Sequence, residues 1–347
     1  MTSQATANHD RYARQIVFGP IGREGQERIG RSRVTLIGCG ALGSYLAEML
    51  TRGGVGFLRI VDRDFVEISN LQRQTLFDEQ DVAENLPKSE AAVRKLRKIN
   101  SHIELEAIVA DATHENIEFF IEGANLILEG TDNLQTRFLI NDAAVKRAIP
   151  WIYGACLAGR GMGMVIPAGG KPCFRCLMDA PPEPGELETC ESAGIIAPAV
   201  ATIASFVVTE ALKLLTGNLE AVNRDFFYFD LWTSQHRQMS LNNLAEGCPC
   251  CRDYNFEFLA GRGSMSTISL CGQKSVQVRP RNHGIHIDLP QLATRLGTAG
   301  QVSVNEFLLR LHLPELELTV FPDGRAIING TSNIDEARSL YARYVGH

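Results

Sequence analysis

Two sets of residues in this 347-residue chain combine types and spacings that can do chemistry. The first is a pair of cysteine doublets, Cys173-Phe174-Arg175-Cys176 and Cys248-Pro249-Cys250-Cys251. Four thiolates at such spacing suit tetrahedral zinc, and a closed four-sulfur site is structural rather than catalytic. Cys173, Cys176, Cys248 and Cys251 are the expected ligands, with Cys250 an alternative to Cys251. The second set begins with Gly38-Cys39-Gly40-Ala41-Leu42-Gly43, a Gly-x-Gly-x-x-Gly turn. Glycine lets the backbone turn tightly and approach phosphates, and a helix start supplies free N–H groups and a favourable dipole. Asp62 follows roughly 20 residues later, where an acidic side chain at a strand end can accept hydrogen bonds from ribose hydroxyls. Beyond it come Ser69-Asn70-Leu71-Gln72-Arg73-Gln74, then Lys88 behind Pro87, and later Gly130-Thr131-Asp132-Asn133. Two cations, Arg73 and Lys88, with a further carboxylate suit a triphosphate and a magnesium ion better than a dinucleotide.

These residues need elements that bring them together. Val34 to Ile37 is a short apolar run entering the glycine turn, Leu42 to Thr51 has a helical pattern, and Phe57 to Asp62 reads as a second strand. Strand, glycine turn, helix and strand in that order predict a parallel sheet wound in the Rossmann manner. Lys88 to Ile99 and Asp132 to Ala148 read as helices, and Ile103 to Val109, Leu126 to Glu129 and Pro150 to Ala155 as strands. Strand carboxyl ends gather on one edge of such a sheet, so the polar clusters after them can converge there. From about Gly261 the texture changes to short β-like runs, Thr267 to Leu270 and Val276 to Arg279, before a helix at Leu289 to Leu296. Leu316 to Phe321 and Arg325 to Asn329 flank a Pro322-Asp323-Gly324 turn, and a last helix covers Ile334 to Tyr344. We therefore expect an α/β fold, a Rossmann-like doubly wound, mostly parallel sheet with a zinc-bound extension over residues 1–260. A small α+β module of unknown role follows over residues 261–347.

The bulk properties narrow the partners. A formal net charge of −6 gives no basic field for nucleic acid or an anionic membrane. The amino terminus has no basic-then-apolar pattern, and Gly194 to Leu215, though apolar, carries Glu210 and Lys213 and reads as a buried helix. The expected location is the cytoplasm. The nine cysteines are then metal ligands or thiols rather than disulfides, with Cys39, Cys156 and Cys271 read as packing residues.

Arg11-Tyr12-Ala13-Arg14-Gln15, the glycine turn, Asp62-Arg63-Asp64, the Ser69 to Gln74 segment, Lys88 and the Gly130 to Asn133 cluster resemble the ThiF/MoeB/HesA adenylyltransferases of the ubiquitin-activating superfamily. The match runs from about Arg11 to Cys251, with its motifs in order. The resemblance implies an ATP site formed by Gly38, Gly40, Ala41, Gly43, Asp62, Ser69, Asn70, Arg73, Lys88, Asp132 and Asn133. In it Asp62 holds the ribose, Asn70, Arg73 and Lys88 contact phosphates, and Asp132 binds magnesium. Arg14 reaches the triphosphate from the neighbouring subunit of a homodimer. Ala41 stands where members often have another glycine, and still offers its backbone N–H. Cys190, in Glu188-Thr189-Cys190-Glu191, matches the reactive cysteine that some members use for a thioester or acyl-disulfide, although its acidic neighbours do not favour the thiolate.

The activity so implied is ATP-dependent adenylation of the C-terminal carboxylate of a ubiquitin-like sulfur-carrier protein ending in Gly-Gly. The long layout resembles ThiF-type proteins and favours a ThiS-like carrier of thiamine thiazole formation over a MoaD-like carrier of molybdopterin formation. Three other readings are kept. An NAD-dependent oxidoreductase accounts for the glycine turn and Asp62 but not for the cysteines. A non-catalytic zinc scaffold would not need Arg73, Lys88 and Asp132. A transfer-RNA-modifying dehydratase of the same superfamily fits poorly with the acidic balance.

Overall fold

The computed structural model describes residues 10–181, 193–242, 244, 246–261, 267–270, 274–278 and 286–345. The chain divides into two compact units, Met1–Gly263 and Ser264–His347. In the first, eight strands form one sheet in the order β3-β2-β1-β4-β5-β6-β7-β8. β1 (Arg33–Ile37), β2 (Phe57–Val61), β3 (Glu104–Ile108), β4 (Leu126–Glu129) and β5 (Trp151–Leu157) run parallel. Helices cover both faces of this half, so β1, β2 and β4 are apolar nearly throughout, and Val34, Leu36, Leu58, Ile60 and Ile127 are buried. Chain order reverses direction across the sheet between β1 and β4, which opens a crevice beyond their carboxyl ends.

The other half is antiparallel: β6 (Arg160–Ile166) forms a hairpin with β5, and β7 (Asp225–Asp230) and β8 (Gln235–Ser240) form a second hairpin that pairs with β6 through β7. Strand periodicity hides this half. β6 carries Gly161 and Gly163 because a Cβ there would lie 2.3 Å from the Phe229 ring and 2.8 Å from that of Phe206. β8, Gln-His-Arg-Gln-Met-Ser, is exposed along its whole length. Helix Ala197–Thr216 closes this side, packing on helix Ala41–Gly53, β5 and β6. By length and composition it could cross a membrane, yet its apolar residues from Ala199 to Ala211 pack into the core. Its hydroxyls at Thr202, Ser205 and Thr209 donate to the carbonyls four residues back.

The second unit is a six-stranded antiparallel sheet, β11-β12-β13-β14-β10-β9. A hairpin of β9 (Thr267–Leu270) and β10 (Ser275–Val278) leads into helix Leu289–Leu296, whose start is capped by Asp288. A meander of β11 (Gln301–Val304), β12 (Leu309–His312), β13 (Glu317–Val320) and β14 (Ala326–Asn329) then returns to pair with β10. Val276, Leu311, Leu318 and Ile328 from the sheet meet Leu292, Leu296, Ala337 and Tyr341 from the two helices in one core. β11 and β12 escape a sequence reading because each is short and β11 is largely exposed. Cys271 lies outside the described residues.

Three glycines fix the crevice. A Cβ on Gly43 would stand 2.1 Å from the Gly38 carbonyl oxygen, and one on Gly130 would stand 2.7 Å from the same atom. Around Gly40, in contrast, nothing lies nearer than 3.9 Å. Gly43 and Gly130 are therefore required for packing, whereas a Cβ on Gly40 would meet its neighbours only at ordinary van der Waals distance. Gly43→Ala should lower the thermal midpoint by about 2–12 °C, at ~1–3 kcal/mol for overpacking and about 2–4 °C per kcal/mol in a unit of this size. Gly40→Ala should leave that midpoint within about 2 °C and instead weaken nucleotide binding, as scanning calorimetry and a nucleotide titration would read.

Candidate active site

The glycine turn is held from below by Asp62. Its Oδ2 accepts from the Cys39 N–H at 2.6 Å and its Oδ1 from the Asp64 N–H at 2.7 Å. Burial and the neighbouring Asp64 push the Asp62 carboxyl up, against the pull of Lys88 and the two backbone donors. One oxygen thus ties down the turn and the other its own loop, and each keeps a further lone pair for a ligand hydroxyl. Cys39 is fully buried and burial pushes its thiol up, which leaves it an inert packing group.

Lys88 sits at the first position of helix Lys88–Ile99, after Pro87. Its backbone N–H donates to the Asp64 carbonyl at 2.8 Å and its Nζ to Asp64 Oδ2 at 3.1 Å. Burial disfavours the ammonium, but the carboxylates of Asp64, Asp62 and Asp132 outweigh it and hold the group protonated. The result is a fixed cation at the carboxyl edge of the sheet. Asp64, about half exposed, is the more accessible acid here; the sequence offered it only as the end of Asp62-Arg63-Asp64.

Ser69 to Gln74 forms a short turn of helix after β2. Arg73 Nη1 donates to the Ser69 carbonyl at 2.8 Å, and Asn70 Oδ1 accepts from the Glu67 N–H at 3.3 Å while its amide faces Ser69 Oγ. Gln74 is buried, its Oε1 has no hydrogen-bond partner among the described residues, and its Nε2 lies 3.9 Å from where a Gly40 Cβ would be. A buried amide oxygen of this kind next to the glycine turn fits a polar ligand there.

The third side is the loop after β4. Glu129 is fully buried, and its Oε1 accepts from the Thr131 N–H at 2.5 Å and from Thr131 Oγ1 at 2.7 Å. Its Oε2 accepts from Arg137 Nε at 3.1 Å, while Arg137 Nη2 donates to the Thr131 carbonyl at 2.6 Å. Burial works against the Arg137 cation, yet Glu129, then Tyr153 and Asp132, hold it protonated. This closed ring of bonds presents Asp132 exposed at the tip of the loop, while Asn133 caps helix Leu134–Arg147 through the Gln135 N–H. Sequence reading missed Glu129 and Arg137. The one signal available was an arginine within an otherwise buried helical run.

Arg14 is elsewhere in the same chain. Helix Ala13–Val17 docks through the Tyr12 ring on Gly54 and through Gln15 Nε2, which donates to the Gly53 carbonyl at 3.0 Å. Those contacts lie at the carboxyl end of the helix that begins at Ala41, about 20 Å from the glycine turn at ~1.5 Å per residue. Arg14 is exposed there, as are Val17 and Phe18. Cys190 lies outside the described residues.

Cys173, Cys176, Cys248 and Cys251 bring their sulfurs within 4.8 Å of one another. Three sulfur pairs are 3.7 Å (Cys173–Cys248), 3.9 Å (Cys173–Cys176) and 3.5 Å (Cys176–Cys251) apart. Zinc–sulfur bonds of about 2.3 Å in a tetrahedron require sulfurs roughly 3.8 Å apart, so the set fits a zinc ion. Gly170 permits the approach, since a Cβ there would lie 2.7 Å from Cys251 Cβ and 3.1 Å from Cys173 Cβ. Hydrogen bonds from Cys176 and Cys250 push the Cys173 thiol down, while the bond to Cys173 pushes Cys176 up and burial pushes Cys251 up.

The family model described as ThiF family matches residues 12–250. The chain is 44% identical over 339 residues to a sulfur carrier protein ThiS adenylyltransferase of Bacillus subtilis (strain 168), covering 97% of this chain and 99% of that protein. It is 37% identical over 246 residues to the protein of that name in Escherichia coli (strain K12), covering 71% and 96%. A sulfur carrier protein adenylyltransferase of Thermus thermophilus is 34% identical over 249 residues, covering 70% and 91%. Among solved structures, E. coli MccB with MccA-N7isoASN matches with a TM-score of 0.61 at 19% identity over 70% of this chain and 74% of that one, a likeness of fold alone.

The Glu129–Arg137 pair generates a stability test. Glu129→Gln or Arg137→Met alone leaves one buried group uncompensated and should cost about 3–5 kcal/mol in urea unfolding. The double variant should cost clearly less than the two single losses added.

Proposed function

The chain belongs to the ThiF family; from that premise we propose that it adenylates the C-terminal glycine carboxylate of a ubiquitin-like sulfur-carrier protein ending in Gly-Gly, with a ThiS-like carrier of thiazole formation favoured. The observation that carries this reading is the buried Lys88, bonded to Asp64 and held charged among Asp62, Asp64 and Asp132 beside the glycine turn. The carrier carboxylate is already ionised near neutral pH, so the step needs no general base. It attacks the α-phosphorus of ATP, forming a carboxyl–phosphate bond as the bond to pyrophosphate breaks. Both reactants are anionic, and rate comes from countering negative charge in a preorganised site.

Within this chain, Lys88 and Arg73 offer that positive charge, and Gly40 with the Ala41 N–H lets phosphates approach the backbone. Ser69, Asn70 and Asn133 supply polar contacts at the rim, and Asp62 with Asp64 suits the ribose hydroxyls. Asp132 would hold magnesium, which when bound neutralises phosphate charge. Arg14 cannot reach its own site, and the exposed Val17 and Phe18 beside it suit a homodimer in which Arg14 completes the partner's site. Zinc on Cys173, Cys176, Cys248 and Cys251 would be structural, and Cys190 is the candidate acceptor for a covalent carrier intermediate. The relatives' chemistry suits a cytoplasmic enzyme.

Pyrophosphate–ATP exchange tests the reading. Exchange should appear only with a Gly-Gly carrier and be stronger with a ThiS-like than with a MoaD-like one; none with any carrier, in folded zinc-loaded protein, would sink it. Asp132→Asn should slow exchange about 10²–10³-fold without moving the thermal midpoint, because the side chain is exposed. Arg14→Ala should also slow it, and mixing the two inactive variants should restore part of the activity through mixed dimers. If mixing restores nothing although subunits exchange, Arg14 does not act across the interface.

A further inference from the structure

Helix Leu134–Arg147 starts in the nucleotide loop and runs to the cysteines. Asn133, Arg137 and Asn141 recur every fourth residue and so share one face. Asn133 caps the helix, Arg137 locks the Thr131 carbonyl, and Asn141 meets the cysteine cluster. Asn141 is fully buried. Its Nδ2 donates to Cys250 Sγ at 3.2 Å and to Cys173 Sγ at 3.6 Å, and its Oδ1 accepts from the Phe174 N–H at 2.8 Å. One amide therefore bonds the ligand Cys173 and also Cys250, which stands in sequence between the ligands Cys248 and Cys251.

Apolar packing does not account for this residue. Its neighbours include Phe138, Val145 and Phe174, among which leucine would fill similar volume without a polar group to desolvate. An amide N–H donated to a thiolate sulfur orients that ligand and lowers its basicity, as outer-sphere donors do in metal sites generally. The helix itself is the rigid link, with eight residues, about 12 Å, between Asn133 and Asn141. We infer that Asn141 is a positioning residue that fastens the four-cysteine site to this helix, so that the metal sets the geometry of the Asp132 loop as well as the local fold. The inference rests on the cluster holding a metal, and it deepens the reading of the site above.

The test uses the full chain loaded with zinc, and separately with cobalt(II), as wild type, Asn141→Leu and Asn141→Ser. Release of zinc to a chromogenic chelator should quicken about 10-fold or more in Asn141→Leu and less in Asn141→Ser, which keeps a hydroxyl donor. The thiolate-to-cobalt absorption should shift in both variants. Equilibrium titration with magnesium and ATP should give a dissociation constant raised roughly 2–30-fold in Asn141→Leu and in metal-stripped wild type. Unchanged zinc release and cobalt spectra in a folded variant would overturn the role of Asn141. Faster release with unchanged nucleotide affinity, in variant and stripped protein alike, would overturn the link to the Asp132 loop. Neither metal readout depends on adenylation, so loss of the functional reading through absent exchange would remain distinguishable.

Discussion

The crevice depends on three backbone segments meeting with no side chain between them. The end of β1 at Gly38, the start of the following helix at Gly43 and the loop after β4 at Gly130 touch backbone to backbone. Any Cβ at Gly43 or Gly130 would push these segments apart, and with them the two walls of the site. This contact lets Asp62 reach the Cys39 N–H and sets the Gly130 to Asn133 loop beside Lys88.

On that frame the protein buries charge in compensated sets. Lys88 is balanced by three carboxylates, and Arg137 by Glu129 with the Thr131 carbonyl. The second set is wholly internal and shapes the loop. The first stands at the edge of the crevice, where a cation fixed in place is worth more against developing phosphate charge than one that water must reorganise around. Gln74, buried beside the glycine turn, holds an amide oxygen without a hydrogen-bond partner among the described residues, a group that a polar ligand can satisfy.

The Bacillus relative spans both units, whereas the E. coli relative of the same name is matched over nearly all its length by 71% of this chain. A relative shorter than this chain thus bears the same name, and the second unit has its own core of sheet and two helices. In the first unit, the four cysteines close the core around Phe138 and Phe174 and meet, at Asn141, the middle of the helix that begins at the nucleotide loop.

Much of this was legible in order and spacing. The glycine turn between an apolar strand and a helix, the acid after β2, Lys88 behind Pro87 and the paired cysteines are local patterns, and local patterns survive without coordinates. The helix from Ala197 was readable because its charges sit at one end of an apolar run. Neither the antiparallel half of the sheet nor the Glu129–Arg137 ring was readable, and the sulfur-bonded Asn141 escaped as well. β6 is glycine-rich because aromatic rings from elsewhere occupy its face, and β8 is polar because its edge faces solvent. Glu129, Arg137 and Asn141 are ordinary polar residues until burial makes each partner obligatory. Sequence determined which chemistry the chain can attempt, since residue type and spacing set the ligands and the phosphate turn. Tertiary structure alone decided which charges are fixed, because the cost of an unpaired buried group depends on what the fold brings beside it.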